Sequence, residues 1–354
     1  MWYLKITVFI RKMTSLSSKL NGHRPLGVYT QSWSSGWTST ASSMDLAQIP
    51  APINLVYIAF ATPNCTYTAG SNSWAGTGID FSSDFSVVKG AIQILRNRGC
   101  VVMLSVGGAT YPWDTYNAKS IAALVADLGC DGVDIDWEAA GGASAAPQLG
   151  PIISAFRTAM PNYSLSLAGF SVGAYGNGVF ANAQPSSANT GMCVAGLKSN
   201  GYQLDWINIM SYDASPVYSA TQAFDAYRTL FSGPLLIGCE VPPEAWGGHV
   251  ITLNEVSTYS SYALKDPQCN GLFVWSYQKT GTPSCNQIIS QASSILSSST
   301  PTPVPTPAPV PTPAPAPTPA PVPVPTPAPT VNGFQISFTM DTNGNITNIV
   351  SKKV

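Results

Sequence analysis

The segment DGVDIDWE, residues 131–138, carries four of the 17 acidic residues in a chain of 354. Side chains alternate between the two faces of a β-strand, so Asp134, Asp136 and Glu138 are expected to share one face. The valine, isoleucine and tryptophan of the segment share the opposite face and suit packing under helices. The segment therefore predicts a buried strand with one apolar face and one acidic face.

The spacing of these acids has a chemical consequence. Successive side chains on one face of a strand are roughly 7 Å apart. Like charges at that spacing resist simultaneous ionisation, so at least one carboxyl is expected to hold a proton near neutral pH. A protonated carboxyl can act as a general acid, and the segment therefore predicts acid catalysis.

The overall composition excludes several classes of function. Charged residues make up only 9% of the chain, hydrophobic residues make up 45%, and the formal net charge is −1. Nucleic acid and anionic membrane partners select for basic patches, so neither is expected here. A neutral polar surface suits a polysaccharide partner, and it equally suits a protein that is simply extracellular. With only His23 and His249 available, a histidine base or a histidine-rich metal site is not expected.

The cysteines predict buried thiols rather than a metal or redox motif. Seven are present, and no two have the close spacing of a zinc or redox motif. Several fall in apolar runs, and a bridge between Cys269 and Cys285 stays open. The cysteines are Cys65, Cys100, Cys130, Cys193, Cys239, Cys269 and Cys285.

Short apolar runs alternate with helical patterns from residue 24 to residue 297. Such runs, separated by helices such as 84–99 and 117–129, are typical of a parallel sheet covered on both faces. Eight units in about 270 residues favour a closed (β/α)₈ TIM barrel over a doubly wound open sheet. The open sheet is further disfavoured because no glycine-rich phosphate loop follows the first run. The runs span residues 25–30, 53–61, 100–108, 131–138, 163–171, 204–213, 234–240 and 271–278.

The remaining segments lie outside this pattern. Residues 1–23 form an N-terminal extension without a clear signal peptide, because its basic residues follow its apolar stretch, and Met13 is an alternative start. Residues 298–330 form a proline-rich linker, whose tract from Pro301 to Pro329 is expected to be an extended polyproline II spacer of roughly 90 Å. Residues 331–354 predict a short β-hairpin turning at Asn343-Gly344, with no role assigned.

Four motifs resemble those of the glycoside hydrolase family 18, the chitinase family. The D-x-x-D-x-D-x-E motif is present on strand four, S-x-G-G on strand three, M-x-Y-D on strand six, and Trp275 on strand eight. The stretch PPEAWGGHV (242–250) resembles the strand-seven loop of the single-domain plant and bacterial type, which lacks the small insertion domain. The resemblance covers residues 24–297. The motif residues are Asp131, Asp134, Asp136, Glu138, Ser105, Gly107, Gly108, Met210, Tyr212 and Asp213.

The resemblance implies a retaining, substrate-assisted glycosidase. Glu138 would be the general acid and then the base, and the substrate's own acetamide would be the nucleophile. Asp136 would orient that acetamide, and Asp134 would share a proton with Asp136. Tyr212 would donate to the acetamide oxygen, while Trp275 would form an apolar floor under the sugar.

Further residues are expected to bind substrate or to support the site. Asp213 either contacts substrate or orients Tyr212, whereas Asp131 is expected to be structural, as a helix or turn cap. Mg²⁺ or Ca²⁺ binding by the acids is disfavoured, because the calcium-loop pattern requires glycine where Ala139 stands. We expect no metal and no cofactor. The candidate substrate-binding residues are Trp275, Met210, Asp213, Ser105, Tyr29, Phe60, Trp246 and Trp33.

These features predict a monomeric endo-acting chitinase that binds chitin or N-acetylglucosamine oligomers. The connection 241–270 is too short for a wall-building insertion, so the cleft should be open. Alternatives are an endo-β-N-acetylglucosaminidase acting on N-glycans and a non-catalytic chitin-binding lectin, although a lectin would usually have lost Glu138. The proline spacer resembles those of proteins from large algal DNA viruses, whose hosts have glucosamine-containing walls. An extracellular or cell-wall-directed location is therefore expected.

Overall fold

Eight parallel strands close into a barrel in chain order, and the last strand pairs with the first. The structure is a computed structural model that describes residues 15–245, 249–297, 334–340 and 346–353. The predicted (β/α)₈ architecture is confirmed. The barrel strands are β1 (Leu26–Gln31), β2 (Leu55–Ala61), β3 (Val101–Gly107), β4 (Gly132–Asp136), β5 (Ser164–Gly169), β6 (Trp206–Ile209), β7 (Leu235–Glu240) and β8 (Gly271–Trp275).

Helices connect the strands around the outside of the barrel. Several have strong terminal signals: α4 begins after Asn117, whose side chain accepts from the Ser120 amide, and it ends at Gly129 with a left-handed φ of 76°. The helices are α1 (Leu16–Lys19), α2 (Asp45–Gln48), α3 (Phe85–Asn97), α4 (Ala118–Leu128), α5 (Leu149–Ala159), α6 (Val194–Asn200), α7 (Ala220–Arg228), α8 (Leu253–Ala263) and α9 (Cys285–Leu296). Within the described ranges, no helix combines the length and apolar character that crossing a bilayer requires.

Both faces of the strands are buried, which explains their near-continuous apolar sequences. Val133 and Ile135 face outward and join the large core under the helices. A second cluster fills the barrel interior with large side chains such as Tyr57, Met103 and Phe273. Leu16 and Leu20, from the predicted N-terminal extension, pack into this interior cluster, so part of that extension folds with the barrel.

Strand β4 ends earlier than its sequence suggests. It stops at Asp136, so Glu138 follows the strand at the barrel mouth. The neighbouring strand permits this close approach because Gly107 and Gly108 have φ values of 111° and 79°. A Cβ atom on Gly107 would lie 2.1 Å from the Asp136 carbonyl oxygen, which accepts a hydrogen bond from the Gly108 amide at 3.0 Å. The two glycines of the S-x-G-G motif therefore shape the barrel rim.

Asp131 has a structural position, as expected, but it caps no helix. Its carboxylate forms an ion pair with Arg96 at 2.9 Å and accepts from the Val102 amide at 2.9 Å. These contacts join the end of α3 to the starts of β3 and β4.

The C-terminal sheet is a second compact unit. Its strands, β9 (Phe334–Met340) and β10 (Ile346–Lys353), are antiparallel, as the hairpin prediction requires. The predicted turn at Asn343-Gly344, the proline linker and residues 1–14 lie outside the described residues, and the domain boundaries stay predictions. All seven cysteines, Cys269 and Cys285 included, are free and buried.

Candidate active site

The predicted acids lie where the carboxyl ends of the strands meet, at the mouth of the barrel. Alternation along β4 turns Asp134 and Asp136 inward, and Glu138 continues the same face. The same alternation brings Tyr212 in after β6 and Trp275 at the end of β8. The structure therefore groups the principal residues of three separate motifs at one end of the fold.

Asp134 is the deepest of these acids, and donors from four other strands surround it. Its Oδ1 accepts from Ser166 Oγ at 2.6 Å and Asn208 Nδ2 at 3.1 Å. Its Oδ2 accepts from Tyr29 Oη at 2.7 Å and Ser105 Oγ at 2.8 Å. Burial raises the pKa of Asp134, and these hydrogen bonds oppose the rise. The sharing of a proton between Asp134 and Asp136, expected from the sequence, stays a prediction.

Ser105 and Tyr29 therefore contact Asp134 rather than the open cleft. A second layer of donors, which sequence analysis missed, continues the network. Tyr57 Oη donates to Asn208 Oδ1 at 2.8 Å and accepts from Trp206 Nε1 at 2.8 Å. The available signal is a polar side chain at an inward position of an apolar strand, as Asn208 is in β6.

Asp136 has very different surroundings. It is 3% exposed, and its Oδ1 atom is buried with no hydrogen-bond partner among the described residues. Burial raises the pKa of Asp136 well above its usual value, and the charges of Glu138 and Asp134 raise it further. An unpartnered buried carboxyl oxygen at the barrel mouth is an acceptor position open to a ligand.

Glu138 lies beside Asp136 and is only partly buried. Burial, followed by the negative charge of Asp213, raises the pKa of Glu138 from 4.5 to about 7. The carboxyl is therefore largely protonated in weakly acidic solution, which is the state a general acid needs. Burial also raises the pKa of Tyr212 well above 10, so its hydroxyl remains a donor.

Aromatic rings line the mouth. Tyr212 meets Phe273 edge-on, with ring centroids 6.1 Å apart. Trp275 stacks with Phe60 at 5.5 Å and 21°, and Trp33 follows at 6.1 Å from Phe60. The exposed fraction rises along this row, from 9% for Phe60 to 48% for Trp33. The row therefore leads from the acids toward solvent and offers flat apolar faces to sugar rings.

The other two predicted binding residues differ in what the structure describes. Met210 is 8% exposed and belongs to the interior cluster, against which Tyr212 also packs. Trp246 lies outside the described residues.

Two charged residues at the mouth were missed by sequence analysis. Glu240 ends β7 and forms an ion pair with Lys279, and it lies close to Asp213. The signal was an acid closing the apolar run PLLIGCE.

Across the part of the chain that the structure describes, no three His, Cys, Asp or Glu side chains converge as metal ligands would.

Comparisons with known proteins agree with this geometry. The model of the family "Glycosyl hydrolases family 18" matches residues 26–277. Endochitinase 1 of Metarhizium robertsii is 27% identical over 258 residues, covering 65% of this chain and 58% of that protein. Chitinase 1 of Aphanocladium album is 32% identical over 148 residues, covering 37% of this chain and 32% of that protein. The chain thus spans less than two thirds of the length of these relatives.

Solved structures show the same fold at low identity. A family 18 chitinase from Pseudoalteromonas aurantia is 18% identical with a TM-score of 0.55, covering 76% of this chain and 99% of that chain. A fungal endo-β-N-acetylglucosaminidase of family 18 is 17% identical with a TM-score of 0.55, covering 77% and 98%. Because the family model matches well over half of its length, this chain belongs to glycoside hydrolase family 18.

Proposed function

We propose that this protein is an endo-acting chitinase, which hydrolyses β-1,4-linked N-acetylglucosamine polymers with retention of the anomeric configuration. The observation that carries the proposal is the pairing of two acids in different states. Glu138 has its pKa raised to about 7, and the neighbouring Asp136 has a buried oxygen without a partner. One is suited to give a proton, and the other is suited to receive an N–H group.

In the first step, Glu138 protonates the glycosidic oxygen as the bond to the anomeric carbon breaks. The acetamide oxygen of the sugar attacks that carbon and forms an oxazolinium ion. Asp136 accepts the acetamide N–H and stabilises the positive charge, while the Tyr212 hydroxyl donates to the acetamide oxygen. Substrate assistance of this kind is a recognised exception to the two-carboxylate scheme of glycosidases.

In the second step, ionised Glu138 takes a proton from water, which attacks the anomeric carbon and opens the oxazolinium ring. Two displacements at the same carbon return the original configuration. Trp275 forms the floor under the reacting sugar, and Phe60 and Trp33 extend the aromatic surface to neighbouring sugars. Asp134, fixed by its four donors, supplies a negative charge behind Asp136.

Several properties follow from this proposal. The described residues of the connection between β7 and β8 contain one α-helix, α8, and short loops, which supports an open cleft and cutting within a polymer. The substrate is chitin or its oligomers, the protein acts as a monomer, and its place of action is extracellular or at a cell wall. The curated relatives that match this chain are chitinases by name, which supports the same substrate class.

The test is mass spectrometry of the products from chitin hexamer, with NMR of the newly formed anomer. Wild type should give internal cleavage and a β anomer, and Glu138→Gln should lose at least about 10³-fold in kcat while binding the hexamer. Cellohexaose, which has no acetamide, should remain intact, and its cleavage at a comparable rate would contradict the mechanism. Turnover of N-glycopeptides without action on the hexamer would instead identify an endo-β-N-acetylglucosaminidase.

A further inference from the structure

Glu240 is an inward-facing acid that the proposed reaction does not use. It is 2% exposed, and it pairs with Trp275 across β7 and β8. Its position has the same parity as Leu236, which belongs to the interior cluster. Its Oε1 atom contacts the ammonium group of Lys279, which also donates to the Pro243 carbonyl at 2.9 Å. Lys279 therefore anchors one half of the carboxyl.

The Glu240 carboxyl also contacts a second acid, Asp213. Its Oε2 atom is buried and receives no hydrogen bond from a fixed donor. The Asp213 side chain lies within hydrogen-bonding reach of the Glu240 carboxyl. Two carboxyl groups can form a hydrogen bond only when one of them holds a proton. Burial raises the pKa of Glu240 to about 8, so Glu240 holds the shared proton and donates it to the Asp213 carboxylate.

The backbone fixes Asp213 in this contact. Asp213 has a φ of 50°, a left-handed conformation that is uncommon for residues other than glycine. Its amide donates to Glu244 Oε2 at 2.7 Å, and the Glu244 side chain is only 4% exposed. His249 Nδ1 approaches the other oxygen of Glu244 at 3.4 Å. The residue is therefore held from the backbone side as well as from the side chain.

Asp213 also acts on the catalytic acid. Burial is the main cause of the raised pKa of Glu138, and the negative charge of Asp213 raises this pKa further. The ionisable groups linked to Glu138, directly or through Asp213 and Glu240, come from β4 and from the segments at the ends of β6, β7 and β8. They are Asp134, Asp136, Tyr212, Asp213, Glu240, Glu244 and Lys279.

We propose that Glu240 is a positioning residue: anchored by Lys279, it shares one proton with Asp213 and thereby keeps the Asp213 carboxylate beside Glu138. The inference rests on the proposed function, because its effect is read in hydrolysis. Glu240 need not touch the sugar. Its contribution is to hold a negative charge where that charge keeps the catalytic acid protonated.

The charges of the cluster predict how variants behave. With one shared proton, the Asp213–Glu240 pair carries one negative charge, which Lys279 balances. In the wild type, Glu240 holds Lys279. In Glu240→Leu, Asp213 loses its partner and Lys279 can pair with the Asp213 carboxylate directly, so the negative charge beside Glu138 is screened at closer range. In Lys279→Met, the balancing cation is gone and the charge beside Glu138 is felt more strongly. The two variants should therefore shift the titration of Glu138 in opposite directions.

The experiment measures kcat/KM for a fluorogenic chitotriose from pH 5 to pH 9. Glu240→Leu should move the basic limb of the profile down by about one pH unit, which lowers kcat/KM at pH 7.5 by about 5–10-fold. Lys279→Met should move the limb up by about half a unit. Glu240→Gln should restore a limb close to wild type, because its amide donates to Asp213 in place of the shared proton. Lys265→Met, which removes a lysine from an exposed helix end, is the matched control and should shift nothing.

Two results would overturn the inference. One is a basic limb that stays in place in both Glu240→Leu and Lys279→Met, and the other is a shift of both in the same direction. Should Glu240→Leu fail to fold by circular dichroism, the upward shift of Lys279→Met and the restored limb of Glu240→Gln still decide it. Inactivity of the wild type on chitotriose and chitin hexamer would be a failure of the proposed function instead, and it would appear before any variant is made.

Discussion

Asp134 and Asp136 are two residues apart on one face of β4, and both are nearly inaccessible to solvent. The register of the barrel separates them. Asp134 lies level with Ser105 on β3 and Ser166 on β5, and both hydroxyls donate to it. Asp136 lies level with glycine and alanine on the same two strands, which offer no side-chain donor. The layer of Asp134 therefore supplies hydrogen-bond donors to its carboxyl group, whereas the layer of Asp136 supplies none from the two adjacent strands.

This difference separates scaffold from site within one strand. A carboxylate with four donors contributes to a rigid interior, because removing it would leave those donors unsatisfied. A carboxyl with an unpartnered buried oxygen costs stability until a ligand supplies the missing donor. The hydrogen-bond network around Asp134 therefore supports the part of β4 on which the unpartnered carboxyl of Asp136 stands.

The largest effect on activity is expected from changing Asp136, the acid with an unpartnered oxygen. Asp136→Asn should lower kcat/KM on chitin oligomers by about 10²–10³-fold, because a neutral amide cannot stabilise the positive charge of the oxazolinium ion as a carboxylate does. The free energy of unfolding should stay unchanged or rise, because the variant removes a buried carboxyl oxygen that has no hydrogen-bond partner. Steady-state kinetics and urea unfolding test the pair of effects. An Asp136→Asn variant that keeps its activity but unfolds more easily would show that Asp136 has a structural role and no catalytic one.

Changing Asp134, the acid with four hydrogen-bond donors, should lower the free energy of unfolding. Asp134→Ala leaves donors on four strands without an acceptor, so unfolding should become easier by about 3 kcal/mol. Urea denaturation followed by tryptophan fluorescence measures this. If Asp134→Ala unfolds like wild type, the network around Asp134 does not stabilise the barrel.

The protonation of Glu138 should also be visible in stability. Its pKa is about 7 in the folded state against an ordinary 4.5, so the folded state binds more protons between those values. The contribution of Glu138 to the free energy of unfolding is therefore fully present below about pH 4.5, and it is lost as the pH rises through about 7. Glu138→Gln removes this loss and should raise Tm relative to wild type by about 4 °C at pH 8, with little gain at pH 4.5. Calorimetry at both pH values measures it, and an equal gain at each would contradict the raised pKa.

The smallest effect sharpens the comparison within the satisfied layer. Ser166→Ala removes one of the four donors to Asp134 and should cost about 1 kcal/mol of unfolding free energy. Turnover should fall far less than in Asp136→Asn. Urea unfolding and kinetics on one substrate measure both quantities. A loss of activity as large as that of Asp136→Asn would mean that the two layers are not separate.

Local periodicity explains why much of the fold could be predicted. The alternation around Asp136 assigns its face without any knowledge of neighbouring strands, and the order of eight apolar runs favours the barrel. The partners of a side chain depend on register between strands that are distant in sequence. For that reason, Ser166 and Asn208 beside Asp134 could not be assigned, nor could the contact between Glu240 and Lys279.

The seven unbridged cysteines give the fold a practical property. Because no disulfide forms, the barrel can reach its native state under reducing conditions, without an oxidation step. Each thiol is shielded until the surrounding packing opens, so a small alkylating reagent can label it only after that opening. Intact-mass measurement should then give two populations, one without label and one carrying seven labels, and their ratio would follow the cooperative loss of structure directly.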